Sequence, residues 1–368
     1  MLCWRRDPSL RPTVDVIAEK IRRAMYNAAP ASFTASSHAY APTVDTVQSR
    51  LSFTGDGPRS APITDNDNLL PCATISRLGD KILSLSFSPD GTRIASGSAN
   101  GLICQWDVHS RAQVSPLSRG HQHWVRSVAF SPNGQWIASA SYDGTVRMWD
   151  VHSGEQMAPS LQGRNGRVFS VAISPNGEEI ASGSADTTIG LWDVQAGKKA
   201  RTLEGHTDKV QSVAVSQSRI FVSGSHDKTV RLWDATSGVQ LRRPLEGHTG
   251  MIWSVAFSPD GRKVVSASQD RYLCIWDLRN SSQVDRRLEG HADEVTSVAF
   301  SPCGRRLVSG SMDSNVFVWD AQSGARVGAS LRGNAGWVRC VAFSPGDGRQ
   351  IVSGTEGGCI CIWNERIH

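Results

Sequence analysis

Short apolar stretches alternate with polar turns along most of the chain, from about residue 81 onward. The stretches are rich in Val, Ile, Phe, Ser and Thr and are nearly continuous in apolar character, which predicts short β-strands buried on both faces. Most turns read Ser-Pro-Asn-Gly or Ser-Pro-Asp-Gly, as at Ser131-Pro132-Asn133-Gly134. Because proline presets φ and the following Asn/Asp-Gly pair accepts a positive φ, each turn predicts an antiparallel hairpin.

The predicted strands belong to one unit that occurs seven times. Each unit has a V-x-S-V-A-F-S stretch, a turn, an apolar stretch ending near Ser-Gly-Ser, an acidic residue and a Trp-Asp pair. The tryptophans of these pairs, the seventh of which precedes an Asn, are Trp106, Trp149, Trp192, Trp233, Trp276, Trp319 and Trp363. Their spacings are 43, 43, 41, 43, 43 and 44 residues. A period of this length indicates a repeat architecture.

The unit resembles the WD40 repeat of β-propellers. The resemblance implies an all-β fold: a seven-bladed propeller of four-stranded antiparallel blades over residues 71–368. Only four residues follow Trp363-Asn364, whereas residues 72–79 resemble the missing outer strand of the last blade. Since an open sheet edge promotes aggregation, we expect this N-terminal strand to complete blade seven and the propeller to be monomeric.

Four of the units carry a polar tetrad that the WD40 resemblance places in the blade interior. It combines the His of a Gly-His pair, a Ser of the second strand, an Asp of the next turn and the Trp of Trp-Asp. The sets are His121, Ser139, Asp143 and Trp149; His206, Ser223, Asp227 and Trp233; His248, Ser266, Asp270 and Trp276; and His291, Ser309, Asp313 and Trp319. Units one, three and seven depart from the pattern, with Asn100, Arg164, and Asn334 with Glu356, at tetrad positions.

Ser, His and Asp are also the residue types of a catalytic triad. Four identical sets in one ring, without a nucleophile-elbow sequence, favour structural hydrogen bonding instead. We therefore expect no enzymatic activity, no cofactor and no metal.

The resemblance also implies a binding face, called the top, formed by the loops before the first strand and after the second strand of each blade. The residues carried over to it are Trp124, Arg126, Tyr142, Arg167, Phe169, Lys209, His226, Met251, Trp253, Met312, Trp337 and Arg339. In blade seven, Thr355 occupies the position before the acidic residue. Trp, Tyr, Met and Arg are enriched at interface cores, so we expect a protein or peptide partner with apolar anchors and acidic residues.

Residues 264–279 resemble the longer W-D-x-R box by which some WD40 proteins attach to the damaged-DNA-binding adaptor of cullin-4 ubiquitin ligases. Asp270, Trp276, Asp277 and Arg279 match it. This implies a substrate receptor of such a ligase. The ordinary repeat accounts for every match except Arg279, whose alternative interpretation is a solvated residue after the Trp-Asp turn.

The N-terminal residues differ from the repeats. Residues 3–21 resemble the end of a protein-kinase catalytic domain, through Cys3-Trp4, Asp7-Pro8 and Arg11-Pro12-Thr13. We expect a terminal helix of the kinase C-lobe within residues 1–26 and a flexible Ser/Thr/Pro/Ala-rich linker over 27–70. Since the chain lacks the kinase catalytic motifs, the resemblance implies the recruitment module of a kinase–WD40 fusion whose catalytic part is missing; the alternative is an unrelated amphipathic helix.

Charge, hydropathy and cysteine spacing restrict the partners and the cellular location that we expect. The formal net charge of +5 over 368 residues is evenly spread, so no specific nucleic-acid partner is expected. The chain has neither a run of about 18 apolar residues nor a secretory signal at its N-terminus. The 8 cysteines include no C-x-x-C spacing. We therefore expect no membrane association and a cytoplasmic or nuclear protein with reduced thiols, acting as a signalling scaffold.

Overall fold

The computed structural model describes residues 73–77, 80–163, 166–279, 284–334 and 336–364. The kinase-like helix expected within residues 1–26 and the linker over 27–70 lie outside these residues. The described residues form 27 β-strands, β1 to β27, and no helix, so none of them provides a helical membrane span.

Seven small sheets follow one another along the chain, and the strands of each blade are denoted a to d from the innermost to the outermost. Blade one consists of β2 (Ile82–Phe87), β3 (Arg93–Ser98), β4 (Ile103–Asp107) and β5 (Gln113–Ser118). Blade two consists of β6 (Val125–Phe130), β7 (Trp136–Ser141), β8 (Thr145–Asp150) and β9 (Leu161–Gln162). Blade three consists of β10 (Val168–Ile173), β11 (Glu179–Ser184), β12 (Ile189–Asp193) and β13 (Lys198–Leu203).

The second half of the ring repeats this order. Blade four consists of β14 (Val210–Val215), β15 (Ile220–Ser225) and β16 (Val230–Asp234). Blade five consists of β17 (Ile252–Phe257), β18 (Lys263–Ser268), β19 (Leu273–Asp277) and β20 (Arg286–Leu288). Blade six consists of β21 (Val295–Phe300), β22 (Arg306–Ser311), β23 (Val316–Asp320) and β24 (Arg326–Leu331). Blade seven consists of β25 (Val338–Phe343), β26 (Gln350–Thr355), β27 (Cys359–Asn364) and β1 (Ala73–Arg77).

The first and last strands of the described chain close the ring. Strand β1 pairs antiparallel with β27, with Ala73 opposite Ile362 and Arg77 opposite Cys359. The a strands pack side by side in sequence, and β25 of blade seven packs against β2 of blade one. The prediction that an N-terminal strand completes blade seven is therefore confirmed.

Blade four differs from the predicted four-stranded form. Its sheet has three strands. Its outer segment forms single bridges, Val230 to Leu245 and Trp233 to Gln240, and the Leu241 N–H donates to the Leu232 carbonyl. Pro244 lies between the bridged residues and has no N–H to donate, which prevents a continuous ladder.

The hydrophobic core lies between the blades. One cluster, for example, joins Val230 and Leu232 of blade four to Ile252 and Trp276 of blade five. The glycine of the Ser-Gly-Ser motif allows this close approach, since a Cβ at Gly224 would lie 2.5 Å from Ile252 Cγ2. The spacing of the repeat thus reflects contacts with the next blade as well as the hydrogen bonds within each blade.

A serine in strand a joins most blades to the next one. In six junctions its Oγ accepts the N–H of the next strand a at 3.0–3.3 Å; the pairs, acceptor first, are Ser84 and Val128, Ser127 and Val171, Ser170 and Val213, Ser212 and Val255, Ser254 and Val298, and Ser297 and Val341. The seventh junction, between blades seven and one, has Cys340 at this position. Its thiol instead faces the Gly354 carbonyl at 3.9 Å.

Candidate functional site on the top face

The four sequence-defined tetrads come together as hydrogen-bonded chains beneath the top face. In each, His Nδ1 lies 2.7–2.9 Å from Asp Oδ2, and His Nε2 lies 2.7–2.8 Å from Ser Oγ. The Trp Nε1–H donates to the same Ser Oγ at 2.7–2.9 Å. Because a carboxylate only accepts, Nδ1 carries the imidazole proton and Nε2 accepts the serine hydroxyl.

The aspartate of each tetrad also holds two loops. Its Oδ2 accepts the backbone N–H of the residue after the histidine at 2.9–3.1 Å, as Asp143 does from Gln122. Its Oδ1 accepts a backbone N–H within its own b–c turn at 2.9–3.1 Å, as from Thr145. The d–a and b–c loops that form the top face are thereby fixed to each other.

Burial and hydrogen bonding oppose each other at these carboxylates. Burial alone would raise the pKa of each, but the hydrogen bond from the histidine and further donors dominate. The pKa falls to about 2 at Asp270 and Asp313, and lies well below its ordinary value at Asp143 and Asp227. At His206 burial lowers the pKa, against the effect of Asp227.

The Ser–His–Asp geometry of these tetrads has the distances of a catalytic triad, but its serines are inaccessible. Ser139, Ser223, Ser266 and Ser309 are each 0% exposed. Each Oγ also accepts the indole N–H of the Trp in its tetrad. The arrangement therefore connects the blade interior to the top loops and offers no route for acyl transfer.

The remaining three blades retain only part of this chain. Their Trp Nε1–H still donates to the strand-b serine, at 2.9 Å from Trp106, 2.8 Å from Trp192 and 3.1 Å from Trp363. In blade seven, Ser353 Oγ donates to Asn334 Oδ1 at 2.9 Å, so an amide replaces the imidazole. Arg164, at the His position of blade three, lies outside the described residues.

Glu356 was assigned wrongly from the sequence. Its backbone N–H donates to the Trp337 carbonyl at 2.8 Å, as Tyr142 does to Trp124, so Glu356 occupies the top-face position of blade seven. Thr355 is instead the last residue of strand b and is 0% exposed. Counting six residues back from each Trp of the Trp-Asp pairs finds the tetrad Asp, and from Trp363 this count reaches Gly357.

Aromatic side chains of blades two and three form the first group on the top face. Trp124 and Tyr142 stack with ring centroids 5.3 Å apart and planes at 21°. Tyr142 meets the edge of Phe169 at 5.4 Å, and the Arg167 guanidinium lies 4.9 Å from the Tyr142 ring centroid. Lys81 of blade one lies 5.7 Å from the Trp124 ring centroid. We call these five residues the aromatic cluster.

A second group spans blades four to six. Trp253 meets the His226 ring edge-on at 5.4 Å, and its Nε1–H donates to Glu294 Oε2 at 2.9 Å. The Gln269 amide donates to the other oxygen of Glu294 at 3.2 Å. Both Glu294 oxygens are thus used within the protein, and so is the polar atom of Trp253.

Blade seven supplies the third group and the most exposed aromatic residue of the face. Trp337 is 44% exposed. The Arg339 guanidinium lies 5.0 Å from its ring centroid, and Arg339 Nε donates to Glu356 Oε2 at 2.6 Å. Lys81 forms an ion pair with the other oxygen of Glu356 and so links blade seven to the aromatic cluster of the adjacent blades.

The remaining predicted positions are also at the top. Met251 and Met312 are partly buried. The Met251 carbonyl accepts the Gln269 N–H, and the Met312 N–H donates to the Glu294 carbonyl. Lys209 is exposed, and its carbonyl accepts from His226 N at 2.9 Å. These positions are equivalent to Trp124 and Tyr142, so the predicted face residues lie in the top loops or at the start of the a strands, as Arg126 and Phe169 do.

The box at the end of blade five has a different geometry. Arg279 Nε donates to Asp277 Oδ1 at 3.0 Å and Nη2 donates to Asp277 Oδ2 at 2.5 Å. Asp270 and Trp276 belong to the tetrad of the same blade. Arg279 is therefore an exposed residue after the Trp-Asp turn, as its alternative interpretation holds, and its guanidinium is paired with Asp277.

Seven consecutive blades around a closed ring, with the top loops held by buried Trp–Ser–His–Asp chains, define a β-propeller repeat protein. The family model for "WD domain, G-beta repeat" matches residues 72–107, 114–150, 156–193, 197–234, 239–277, 282–320 and 326–364. The chain therefore belongs to the WD40 family. No curated protein matches it. Each matched repeat begins with the outer strand of the preceding blade, as β1 does for blade seven.

Proposed function

We propose that this protein is a non-enzymatic interaction scaffold that binds a protein segment on its top face, within a signalling assembly. The WD40 propeller is a fold typical of protein-interaction scaffolds. The observation that carries the proposal is the concentration of Trp, Tyr, Met and Arg side chains on one face of this ring. These residue types bury large areas on binding and are the common hot spots of interfaces.

The three groups on the face differ in how free they are to bind. Trp337 is the most exposed of its three tryptophans and has no hydrogen bond from its indole N–H among the described residues. Trp124 is stacked on Tyr142, and Trp253 donates to Glu294. We therefore expect Trp337 to be the principal anchor, Trp124 to present one face of its ring, and Trp253 to support the surface.

An affinity purification with variants tests the proposal. Partners captured by the wild type should be lost in the Trp124→Ala/Trp253→Ala/Trp337→Ala variant, and Trp337→Ala alone should cause the largest single loss. Met157→Ala is the matched control, because Met157 is an apolar side chain, 54% exposed, that belongs to none of the top-face groups. If the triple variant melts like the wild type and captures the same partners, the proposal is wrong.

The two alternative functions gain no support from the described residues. The kinase-like segment lies outside them. The cullin-4 adaptor hypothesis depends on Arg279, whose guanidinium donates to both oxygens of Asp277 within the chain. A pull-down of the adaptor that is lost in Arg279→Ala would revive that hypothesis.

A further inference from the structure

Arg126 on the top face has no counter-charge among the described residues. Arg126 follows the first residue of strand β6, and its Nε atom is buried without a hydrogen-bond partner. Among the described residues Arg126 also forms no ion pair and no ring contact. The other cations described above have partners: Arg339 and Lys81 share Glu356, and Arg167 lies over the Tyr142 ring.

The position of Arg126 is close to the axis of the propeller. Blade two, which contains it, packs between blades one and three. The guanidinium nevertheless lies near enough to Glu356 and Arg339 of blade seven for their charges to affect its pKa, which burial lowers most. Burial lowers the pKa of His226 in blade four most, and the charge of Arg126 contributes to the same shift. Blades seven and four are not the immediate neighbours of blade two. A side chain of blade two can approach both of them only near the central channel.

A partly buried guanidinium whose Nε atom is buried without a partner is costly. Arginine stays charged in proteins even when burial lowers its pKa, and a buried charge without an opposite charge or full hydrogen bonding destabilises the fold. His226 adds a second unsatisfied group, since its Nε2 is also buried without a partner. The channel mouth therefore holds polar atoms that the described residues leave unsatisfied.

We propose that Arg126 receives a carboxylate side chain, Asp or Glu, of the protein segment that binds the top face; this inference rests on the proposed function. A carboxylate matches the planar fork of a guanidinium through paired, charge-assisted hydrogen bonds. The surrounding charges favour an anion, because the cations Lys81, Arg167 and Arg339 outnumber the carboxylates of the face. Glu356 pairs with both Lys81 and Arg339. Glu294 already accepts hydrogen bonds from Trp253 and Gln269. The aromatic cluster and Trp337 lie beside this position for the apolar residues of the same segment.

The direction of the change in melting temperature distinguishes a binding role of Arg126 from a role in folding. If Arg126 stabilised the fold, Arg126→Gln would lower the melting temperature. Because its Nε atom is buried and its charge is unpaired among the described residues, we expect the free Arg126→Gln protein to melt at the same temperature as the wild type or higher. Arg349→Gln is the matched control: it removes the same charge from an exposed side chain in an a–b turn, paired only with Asp347.

The binding test uses peptides selected from a displayed library of random dodecapeptides on the full-length protein. The enriched peptides should share one Asp or Glu, and their binding should depend on Trp337. Arg126→Gln should weaken binding at least tenfold, and Arg349→Gln should not. Replacing the peptide's acid by its amide should cost a similar factor in the wild type and nothing further in Arg126→Gln, which identifies direct pairing.

The outcomes separate the inference from the proposed function. Peptides that depend on Trp337 but bind wild type and Arg126→Gln equally would overturn the inference and leave the proposed function in place. Additive losses in the cycle would likewise overturn it, since they show that the acid contacts another group. Arg126→Lys should retain part of the affinity, because it keeps the charge without the fork. Failure to select any peptide that depends on Trp337 would overturn both.

Discussion

Blades four to six and the junction of blades seven and one are built from the same repeat but are held differently. Blades four to six each contain a complete tetrad, in which every polar atom of the His, Ser and Trp side chains is paired inside the protein. Neither blade seven nor blade one has the His and Asp of that tetrad. Cys340 also replaces the serine that joins the other blades, and the ring is closed there by one strand pair.

The junction has charged contacts in place of buried neutral ones. Lys81 and Arg339 pair with Glu356 across blades one and seven, and these side chains are partly exposed. Such pairs are weakened by salt and contribute little to the free energy of unfolding. Buried hydrogen bonds therefore stabilise blades four to six, whereas the closing strand β1 stabilises the junction of blades seven and one.

Removal of the closing strand should have the largest effect. Deleting residues 71–80 removes β1 and leaves the β27 edge unpaired, so we expect insoluble or oligomeric protein, measured by size-exclusion chromatography with light scattering. Deleting residues 1–70, which retains β1, is the control and should leave the propeller monomeric. A monomeric 71–80 deletion with an unchanged melting temperature would contradict the importance of the closure.

The tetrads should come next. Asp227→Ala leaves the buried His206 Nδ1–H and two backbone N–H groups without their acceptor, which we expect to lower the free energy of unfolding by about 3 kcal/mol. Asp186 is the equivalent residue of blade three, where it accepts only from Thr188 among the described residues. Asp186→Ala should cost about 1 kcal/mol. Equal costs in urea unfolding would remove the distinction between the two kinds of blade.

Acid should weaken the tetrad blades in particular. The pKa of Asp270 and Asp313 is about 2 in the folded protein against 3.8 ordinarily. A lowered pKa gives stability that is complete above the unfolded value and is lost as the pH falls toward 2, worth roughly 2 kcal/mol for each group. The unfolding free energy should therefore fall between pH 5 and pH 3, and less so in Asp270→Asn/Asp313→Asn. Asp260→Asn, at an exposed carboxylate, is the control. Identical pH profiles in the wild type, the double variant and Asp260→Asn would exclude this account.

The smallest expected effect is a gain. Cys340→Ser supplies the junction of blades seven and one with the hydroxyl present at the other six, placed to accept the Leu85 N–H. We expect the free energy of unfolding to rise by about 1 kcal/mol. The reverse substitution, Ser127→Cys, should cost a similar amount at the junction of blades two and three. A loss in both variants would show that packing, and not this hydrogen bond, governs the position.

The sequence predicted most of the fold because its repeat is strict. The spacing of the tryptophans and the missing outer strand of the last unit were sufficient for seven blades and their closure. Pro244 could have indicated the interrupted outer strand of blade four. Glu356 is the nearest acidic residue to the tetrad position of blade seven, but the distance to Trp363 places Gly357 at that position, so residue type alone misplaces Glu356. The pairing of Arg279 with Asp277, and the absence of a partner for Arg126, depend on side-chain positions that no spacing encodes.

The antiparallel pairing of β1 with β27 has a mechanical consequence. Ala73 lies opposite Ile362, so the chain before β1 and the chain after β27 leave the sheet at the same end. A force that pulls these two ends apart acts on the pair as on a zipper and loads its hydrogen bonds one after another, starting at Ala73. The ring would therefore open by sequential loss of these hydrogen bonds at low force, while the tetrad blades stay folded. Tension along the chain would first separate the junction of blades seven and one, where Lys81 pairs with Glu356.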